Sequence, residues 1–433
     1  MKETEGYFSW GRLKKTTHTI FEPTLSSDFN RILDQSRPWL PYGRGLSYGD
    51  VCTNNRNILV STRNLCEFIE FDATTGLLKC GAGVRFDQII DAFLPLGFFI
   101  PVTLGTKRVT VGGAIANDVH GKNHHISGTF GCHVREIGLQ RSDGVFVCSP
   151  NKNVDLFRAT IGGMGLTGLI LWAQIQLQPG CSPWIRAEWI PFHNVNEYLD
   201  LSQQSKMYEH TAGWIDLLNL SNGMGRGILF RGAFEASPRH LKRKMSLPIP
   251  FEMPNSLVQP WNMKLFNDFY FWSNSKRKLA KLVDYNSFFF PLDALLNWNR
   301  MYGRRGFFQY QCVIPLPSSQ NVLGKLIAIL RDNHASSFLG VIKTFGSIVS
   351  PGVLSFPKEG VTLSVDLPNE GHQTLNLMNR LDNLVADSGG AVYPAKDARM
   401  QKQHFEIFFP QFSEFSRWID PHVSSDFLKR VTS

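Results

Sequence analysis

VGGAIANDVHGKNHH, residues Val111–His125, sets glycines and small side chains directly before a lysine and a cluster of histidines. Glycine lets a backbone come close to a ligand, so the stretch reads as a metal site, a phosphate cradle or an ordinary loop. His120, His124 and His125 offer ring nitrogens, yet Asp118 is the only close carboxylate, and neither an HExxH pattern nor a cysteine partner accompanies them. Metal-ligand spacing is missing, so no metal is expected, and Lys122 and His125 are read as bonding backbone or phosphate.

Two more glycine-rich stretches flank this one. Upstream, RPWLPYGRGLSYGD carries Gly43, Gly45 and Gly49, spaced so that successive N–H groups can turn toward an anion, as nests do. TLGTKRVTVGGAIA contributes Gly105, Gly112 and Gly113. Downstream, IGGMGLTG contains a formal GxGxxG at Gly163–Gly168, but β-rich LILWAQIQL follows it and no acid appears until Glu188. A nicotinamide Rossmann site needs a helix there and an acid about 20 residues on, so this is read as a turn. Three glycine loops between strands could wrap an extended dinucleotide without a helix dipole, although tight turns explain most glycine clusters.

Around these loops the periodicity is mixed. NILVS, EFIEFD and GLLKCGAGV read as strands, FDQIIDAFLPLG as a helix stopped at Gly97, REIGLQRSDGVFVCSP as a hairpin and LTGLILWAQIQLQPG as a long strand. After Pro179 aromatic residues become dense, with strands in GILFRGAF, FFQYQCVIPLP and VTLSVDLP and a helix in NVLGKLIAILRDN. The segment Arg239–Lys281 interleaves Lys/Arg clusters with Trp261, Phe266, Phe269, Tyr270, Phe271 and Trp272. It suits a membrane interface, or else a solvated loop followed by a core helix.

The chain has 433 residues, 43% hydrophobic and 19% charged, enough for two domains. Its net charge of +9 admits nucleic acid, an anionic membrane or a phosphorylated substrate. No Lys/Arg block or RNA-module motif favours nucleic acid. The seven cysteines are scattered and never in CxxC spacing, which favours reduced thiols. No secretory signal is expected from MKETEGYFSWGRLKKTTH, and the most apolar run, Gly163–Leu177, falls short of the ~20 apolar residues of a membrane helix.

The order RPWLPYGRGLSYGD, AGV, PVTLGTKRVTVGGAIANDVHGKNHH, GGMGLTG and finally YPAKDAR resembles the vanillyl-alcohol-oxidase type, or PCMH-type, of FAD-binding proteins. More narrowly it is similar to the decaprenylphosphoryl-β-D-ribose oxidases. HGKNHH together with YPAKD is the specific part, and the glycine loops support it. The resemblance implies an α+β chain with a FAD-binding domain over 1–183, an antiparallel-sheet-plus-helices substrate domain over 184–390, and a segment 391–433 returning to the FAD domain. It further implies oxidation of the 2′-hydroxyl of a polyprenylphosphoryl-β-D-ribose to the 2′-keto sugar. That is the first half of an epimerisation toward arabinose for cell-surface glycan, completed by a separate NAD(P)H-dependent keto-sugar reductase. A cytoplasmic enzyme, peripheral at the inner membrane face, is expected. Two rivals stay open: an aldonolactone or alditol oxidase acting on a soluble sugar, and a non-catalytic flavin- or lipid-binding module.

By the same resemblance Lys396, Tyr48 and His120 are the catalytic candidates, although a lone lysine is ordinarily a surface charge and Tyr48 could be a packed loop aromatic. FAD contacts are expected from Gly43, Gly45, Ser47, Tyr48, Gly49 and Asp50 in the first loop. Gly105, Thr110, Gly112, Gly113, Asn117, His120 and Gly121 would serve in the second, with Ile170 and Tyr393 beyond. Some relatives attach FAD through a histidine in the first glycine loop; Tyr48 and no histidine stands there, so non-covalent FAD is expected. Lys122, Trp214, Tyr302, Gln309, Gln311, Lys343 and Ser364 fall where the family lines its sugar pocket. Alternation in FFQYQCV puts both glutamines on one face, where they could read hydroxyls or simply meet solvent, and Lys343 could meet the substrate phosphate. Mycobacterial members carry cysteine at the position of Ser364. Serine keeps size and hydrogen bonding but is a far weaker nucleophile.

Overall fold

The computed structural model describes residues 2–4, 6–24, 36–219, 225–241, 245–254, 259–276, 280–333, 335, 337 and 339–433. Its N-terminal part holds two sheets. One has the order Lys2–Thr4, His18–Phe21, Ile58–Ser61 and Trp39–Tyr42, the last three parallel and buried along most of their length. Parallel strands covered on both faces read as continuous hydrophobic runs. The other sheet is antiparallel, in the order Phe68–Asp72, Leu77–Gly81, Leu169–Gln176, Val134–Arg141 and Gly144–Cys148. Its core also takes in the helix Phe86–Phe93, which buries Phe86, Ile89, Ile90 and Phe93 and runs on into a 3-10 turn, Leu94–Leu96, ended where Gly97 adopts φ +84.

An eight-stranded antiparallel sheet follows, in the order Lys281–Asp284, Trp184–Phe192, Arg226–Phe234, His210–Asp216, Gly340–Phe345, Gly360–Pro368, Phe307–Pro315 and Ala391–Val392. Residues directly opposite each other in an antiparallel ladder share a face. Because Gln309 pairs with Asp366, Gln311 with Ser364, Lys343 with Thr362 and Val341 with both Trp214 and Ser364, one face carries Trp214, Lys343, Thr362, Ser364, Asp366, Gln309 and Gln311. The alternate residues, including Phe308, Cys312, Leu363 and Val365, join the apolar core with helices Leu316–Asp332 and His372–Asp387. Period-two alternation thus separates a chemical face from a packing face.

Ala391–Val392 is still an edge strand of this sheet; the chain then turns through Pro394–Lys396 and crosses to the N-terminal part. Tyr48 donates its N–H to the Ala395 carbonyl (3.1 Å) and Asp50 its N–H to that of Asp397 (3.3 Å). Further on, Trp39 N–H reaches His422 O and Asp426 N–H reaches Thr53 O, both at 2.8 Å. The α+β architecture is therefore closed by its last segment, and the first glycine loop is held by backbone bonds to the strand end that carries Lys396.

The second glycine stretch is not a loop throughout. Val111–Ala116 forms a one-and-a-half-turn helix whose N-cap, Thr110, accepts a hydrogen bond at Oγ1 from Gly113 N–H (3.2 Å). Gly112 is required because a Cβ there would come within 2.9 Å of Ala82 Cβ. The picture of loops alone, without any helix end, is corrected accordingly.

Candidate active site

A cavity of about 290 Å³ opens between the N-terminal part and the eight-stranded sheet. Gly43, Gly45, Ser47 and Tyr48 line it from the first glycine loop, and Gly105, Thr110, Gly112, Gly113, Asn117 and His120 from the second. Gly165, Gly168 and Ile170 line it from the third, Lys343 from the large sheet, and Tyr393 and Lys396 from the returning segment. Residues far apart in sequence thus meet on one cavity. Trp10, Arg44, Arg108 and Trp298 complete the wall, and sequence reading had not singled them out.

Other candidates sit behind the wall. Gly49 is pressed against the backbone of Asp397, where a Cβ would run into the carbonyl, and Gly121 is held equally close to the Thr103 backbone. Asp50 pairs with Arg430 (2.8 Å), which also binds Asp397 (2.9 Å). These three fix the loops and are not on the cavity lining. Lys122 donates to the backbone carbonyl of Phe289 (2.8 Å), His125 Nε2 lies 2.8 Å from Tyr208 O, and His124 Nδ1 accepts from Gly346 N–H (3.2 Å). Trp214 packs its ring on Tyr270 at 4.7 Å, away from the cavity lining.

Lys396 Nζ donates to Ser364 Oγ (3.3 Å) and lies 5.5 Å from the centre of the Tyr48 ring. Ser364 itself is not on the cavity lining. Beyond it, Asp366 accepts from Gln309 Nε2 (2.5 Å) and from the Tyr302 hydroxyl (3.2 Å). Gln311 donates through Nε2 to His120 Nε2 (2.8 Å) and to Thr362 Oγ1 (3.0 Å), which leaves the imidazole proton on Nδ1. His120 Nδ1 is buried and has no protein partner among the described residues. The ring is caged by Phe345, Phe356 and Tyr393, with centroids 4.9, 5.6 and 5.1 Å away.

Burial sets the charge states. Lys343 is pushed down to about 8 by desolvation alone. Lys396 is pushed down to about 7, by burial first and the Lys343 charge second, with Asp366 opposing. Asp366 is raised by its own burial, against the pull of Gln309, Lys396 and Tyr302. His120 is held far below the ordinary imidazole range by burial and by both lysines, so it is neutral. The cavity lining sets Arg44, Arg108, Lys343 and Lys396 against Asp293, an excess of basic groups that favours an anionic ligand.

The same walls fit FAD. Gly43 has no room for a side chain beside Thr110, and Gly45 has φ +63 with the Tyr42 hydroxyl and the Phe8 carbonyl at its Cβ position. The backbone there can present only N–H and C=O groups. Asn117 Oδ1 is buried on the wall with no protein partner among the described residues, an acceptor waiting for a ligand N–H. Arg44 on the rim is held below the usual guanidinium range by burial and by Arg63 and Arg85, a cation cluster relieved by a phosphate. When bound, FAD supplies the hydride acceptor for oxidation of a CH–OH group.

Comparison with known proteins agrees with this reading. A family model described as FAD binding domain matches residues 21–149. Decaprenylphosphoryl-β-D-ribose oxidase of Mycolicibacterium smegmatis is 32% identical over 99% of this chain and 97% of its own. Partial likenesses include a putative D-arabinono-1,4-lactone oxidase of Neurospora crassa, 30% identical over 34% of this chain and 26% of its own. D-lactate dehydrogenase of Archaeoglobus fulgidus is 32% identical over 37% and 38% respectively.

Proposed function

Since this chain belongs to the decaprenylphosphoryl-β-D-ribose oxidase family and is a FAD-dependent oxidoreductase acting on a CH–OH group, we propose that it oxidises the 2′-hydroxyl of a polyprenylphosphoryl-β-D-ribose to the 2′-keto sugar. A separate NAD(P)H-dependent reductase would then complete epimerisation to the arabinose form used in cell-surface glycan. FAD is held non-covalently in this reading, because the first glycine loop offers Tyr48 and no histidine. The observation that supports the proposal is that Lys396 and Lys343 line one cavity, the first pushed down by burial so that it can be neutral and the second a cation that suits a phosphate.

Each residue then has a task. Lys396, as the free amine, takes the proton of the sugar hydroxyl while its Ser364 bond fixes its direction. Asp366 is a positioning residue: it orients Gln309 and Tyr302 and holds the Lys396 charge state up against the pull of burial. His120 offers its unpartnered Nδ1–H, and Gln311 keeps that tautomer in place. Asn117 would help hold FAD through its unpartnered Oδ1, Tyr393 donates to the Asn117 backbone carbonyl at 2.7 Å and steadies it, and Lys343 would meet the phosphate. The soluble-sugar rival gives Lys343 no partner, and the lactone oxidase likeness covers only a third of the chain. Substrate profiling by anaerobic flavin bleaching separates the two: a lipid-linked phosphoryl ribose should bleach it and free alditols should not.

The proton role fixes a pH dependence. A lysine titrating near 7 is the free base above that pH, so flavin reduction should reach a plateau above about 7 and fall roughly tenfold per unit below it. In Asp366→Asn the carboxylate that raises the Lys396 pKa is gone, and the midpoint should move to lower pH. A flat profile between pH 5 and 9 (roughly the range that matters) would remove Lys396 as the base.

Ser364 yields a chemical prediction. A serine hydroxyl does not capture thiol-directed electrophiles, so in peptide mapping such compounds should leave residue 364 unmodified, whatever they do at the exposed Cys66. The Ser364→Cys variant should gain an adduct at residue 364 in the same peptide map and keep its turnover. An adduct on the unaltered protein at Ser364 would contradict this.

A further inference from the structure

The helix Pro260–Ser275 has its amphipathicity inverted. At 100° per residue, Met263, Asn267, Tyr270 and Asn274 share the inner face. Met263, Asn267 and Asn274 are buried; Asn267 Nδ2 donates to Asp216 Oδ1 (2.7 Å) and Asn274 Nδ2 to Tyr270 O (2.8 Å). The opposite face carries Trp261, Leu265, Phe269 and Trp272, which are 65, 62, 66 and 55% exposed. A helix bathed in water places these the other way round. Such a stripe marks an interaction site, and the charge of the segment that contains it says of which kind: the sequence 239–281 holds nine Lys/Arg against Glu252 and Asp268, a net +7 out of the chain's +9. Lys276 lies over the Trp272 ring at 3.8 Å, the aromatic and basic groups thus side by side.

We infer that the Trp261–Leu265–Phe269–Trp272 face docks on an anionic lipid bilayer, the tryptophans at headgroup depth and the basic residues against lipid phosphates. No helix among the described residues is long and apolar enough to cross a membrane, so the contact is with the surface. The inner face connects it to the site. Met263 packs with Trp298, Tyr302 and Phe307, and Trp298 lines the cavity, so the docked helix brings the cavity wall to the bilayer. That consequence rests on the lipid-linked substrate proposed above, whereas the docking stands on the helix and the charge.

The test is sedimentation of the flavin-loaded protein with vesicles of phosphatidylcholine containing phosphatidylglycerol, compared with the Trp261→Ser, Phe269→Ser, Trp272→Ser triple variant. The affinity of the variant should fall about tenfold or more, with an unchanged flavin spectrum and unchanged reduction by a short-chain, water-soluble substrate. Equal binding by both proteins, no binding by the unaltered protein, or a dimer that only the variant breaks would overturn the docking. If both fail to reduce flavin with lipid-linked phosphoryl ribose while vesicle binding still separates them, the docking holds and the functional reading falls.

Discussion

Replacing Lys396 with methionine is expected to slow flavin reduction by substrate about a thousandfold while FAD remains bound. The lysine lies at the meeting of the returning segment, the Tyr48 ring and Ser364, and burial has already removed most of the cost of carrying it neutral. Methionine fills a similar volume without a titratable group, so packing survives and proton transfer does not. Lys396→Arg separates the two roles a lysine can play, because arginine keeps the charge but is not a base in this range. It should be as slow as methionine. Substantial rescue by arginine would make the residue a fixed charge and not a proton acceptor. Stopped-flow bleaching, with flavin content measured on each variant, gives both numbers.

Lys343→Ala should raise KM for the phosphorylated substrate roughly tenfold to a hundredfold, the worth of a charge-assisted hydrogen bond, with a much smaller change in kcat. A second effect follows from the pKa coupling. Lys343 helps hold Lys396 down; without it the Lys396 pKa rises, and the pH–rate midpoint should move to higher pH, opposite to the shift in Asp366→Asn. A residue that merely packs would move neither midpoint. Unchanged KM with a moved midpoint would leave Lys343 as an electrostatic neighbour and take the phosphate away from it.

Much of the site could be read from residue order, because the glycine loops and YPAKD are local signals: close backbone approach demands glycine wherever it occurs. The elements with clear periodicity were legible too, as with the strand in VTLSVDLP and the helix stopping at Gly97. Less legible was which residues of a motif face the ligand. Gly49 and Gly121 are glycines because other backbone presses on them, and Asp50 is acidic because Arg430 needs a partner. A glycine for packing and a glycine for a cofactor look the same in sequence.

Asp366 was missed although a signal existed. Thr362, Ser364 and Asp366 alternate, and a carboxylate on the same face as a pocket serine is a group whose pKa the pocket will shift. Trp10, Trp298 and Arg44 carried no such signal, since their place on the wall comes from tertiary contacts alone. The inverted helix was half legible. Its aromatic and basic composition suggested an interface, and the alternative of a core helix holds for one face, which buries Met263 and the asparagines and leaves the tryptophans outside.

The most direct test is anaerobic flavin reduction by polyprenylphosphoryl-β-D-ribose carrying deuterium at C2′. If hydride leaves C2′, the labelled substrate should bleach the flavin more slowly than the unlabelled one, and the product should be the 2′-keto sugar without the label. Equal rates with label retained in the sugar, or bleaching by free alditols in its place, would contradict oxidation of a lipid-linked ribose at C2′.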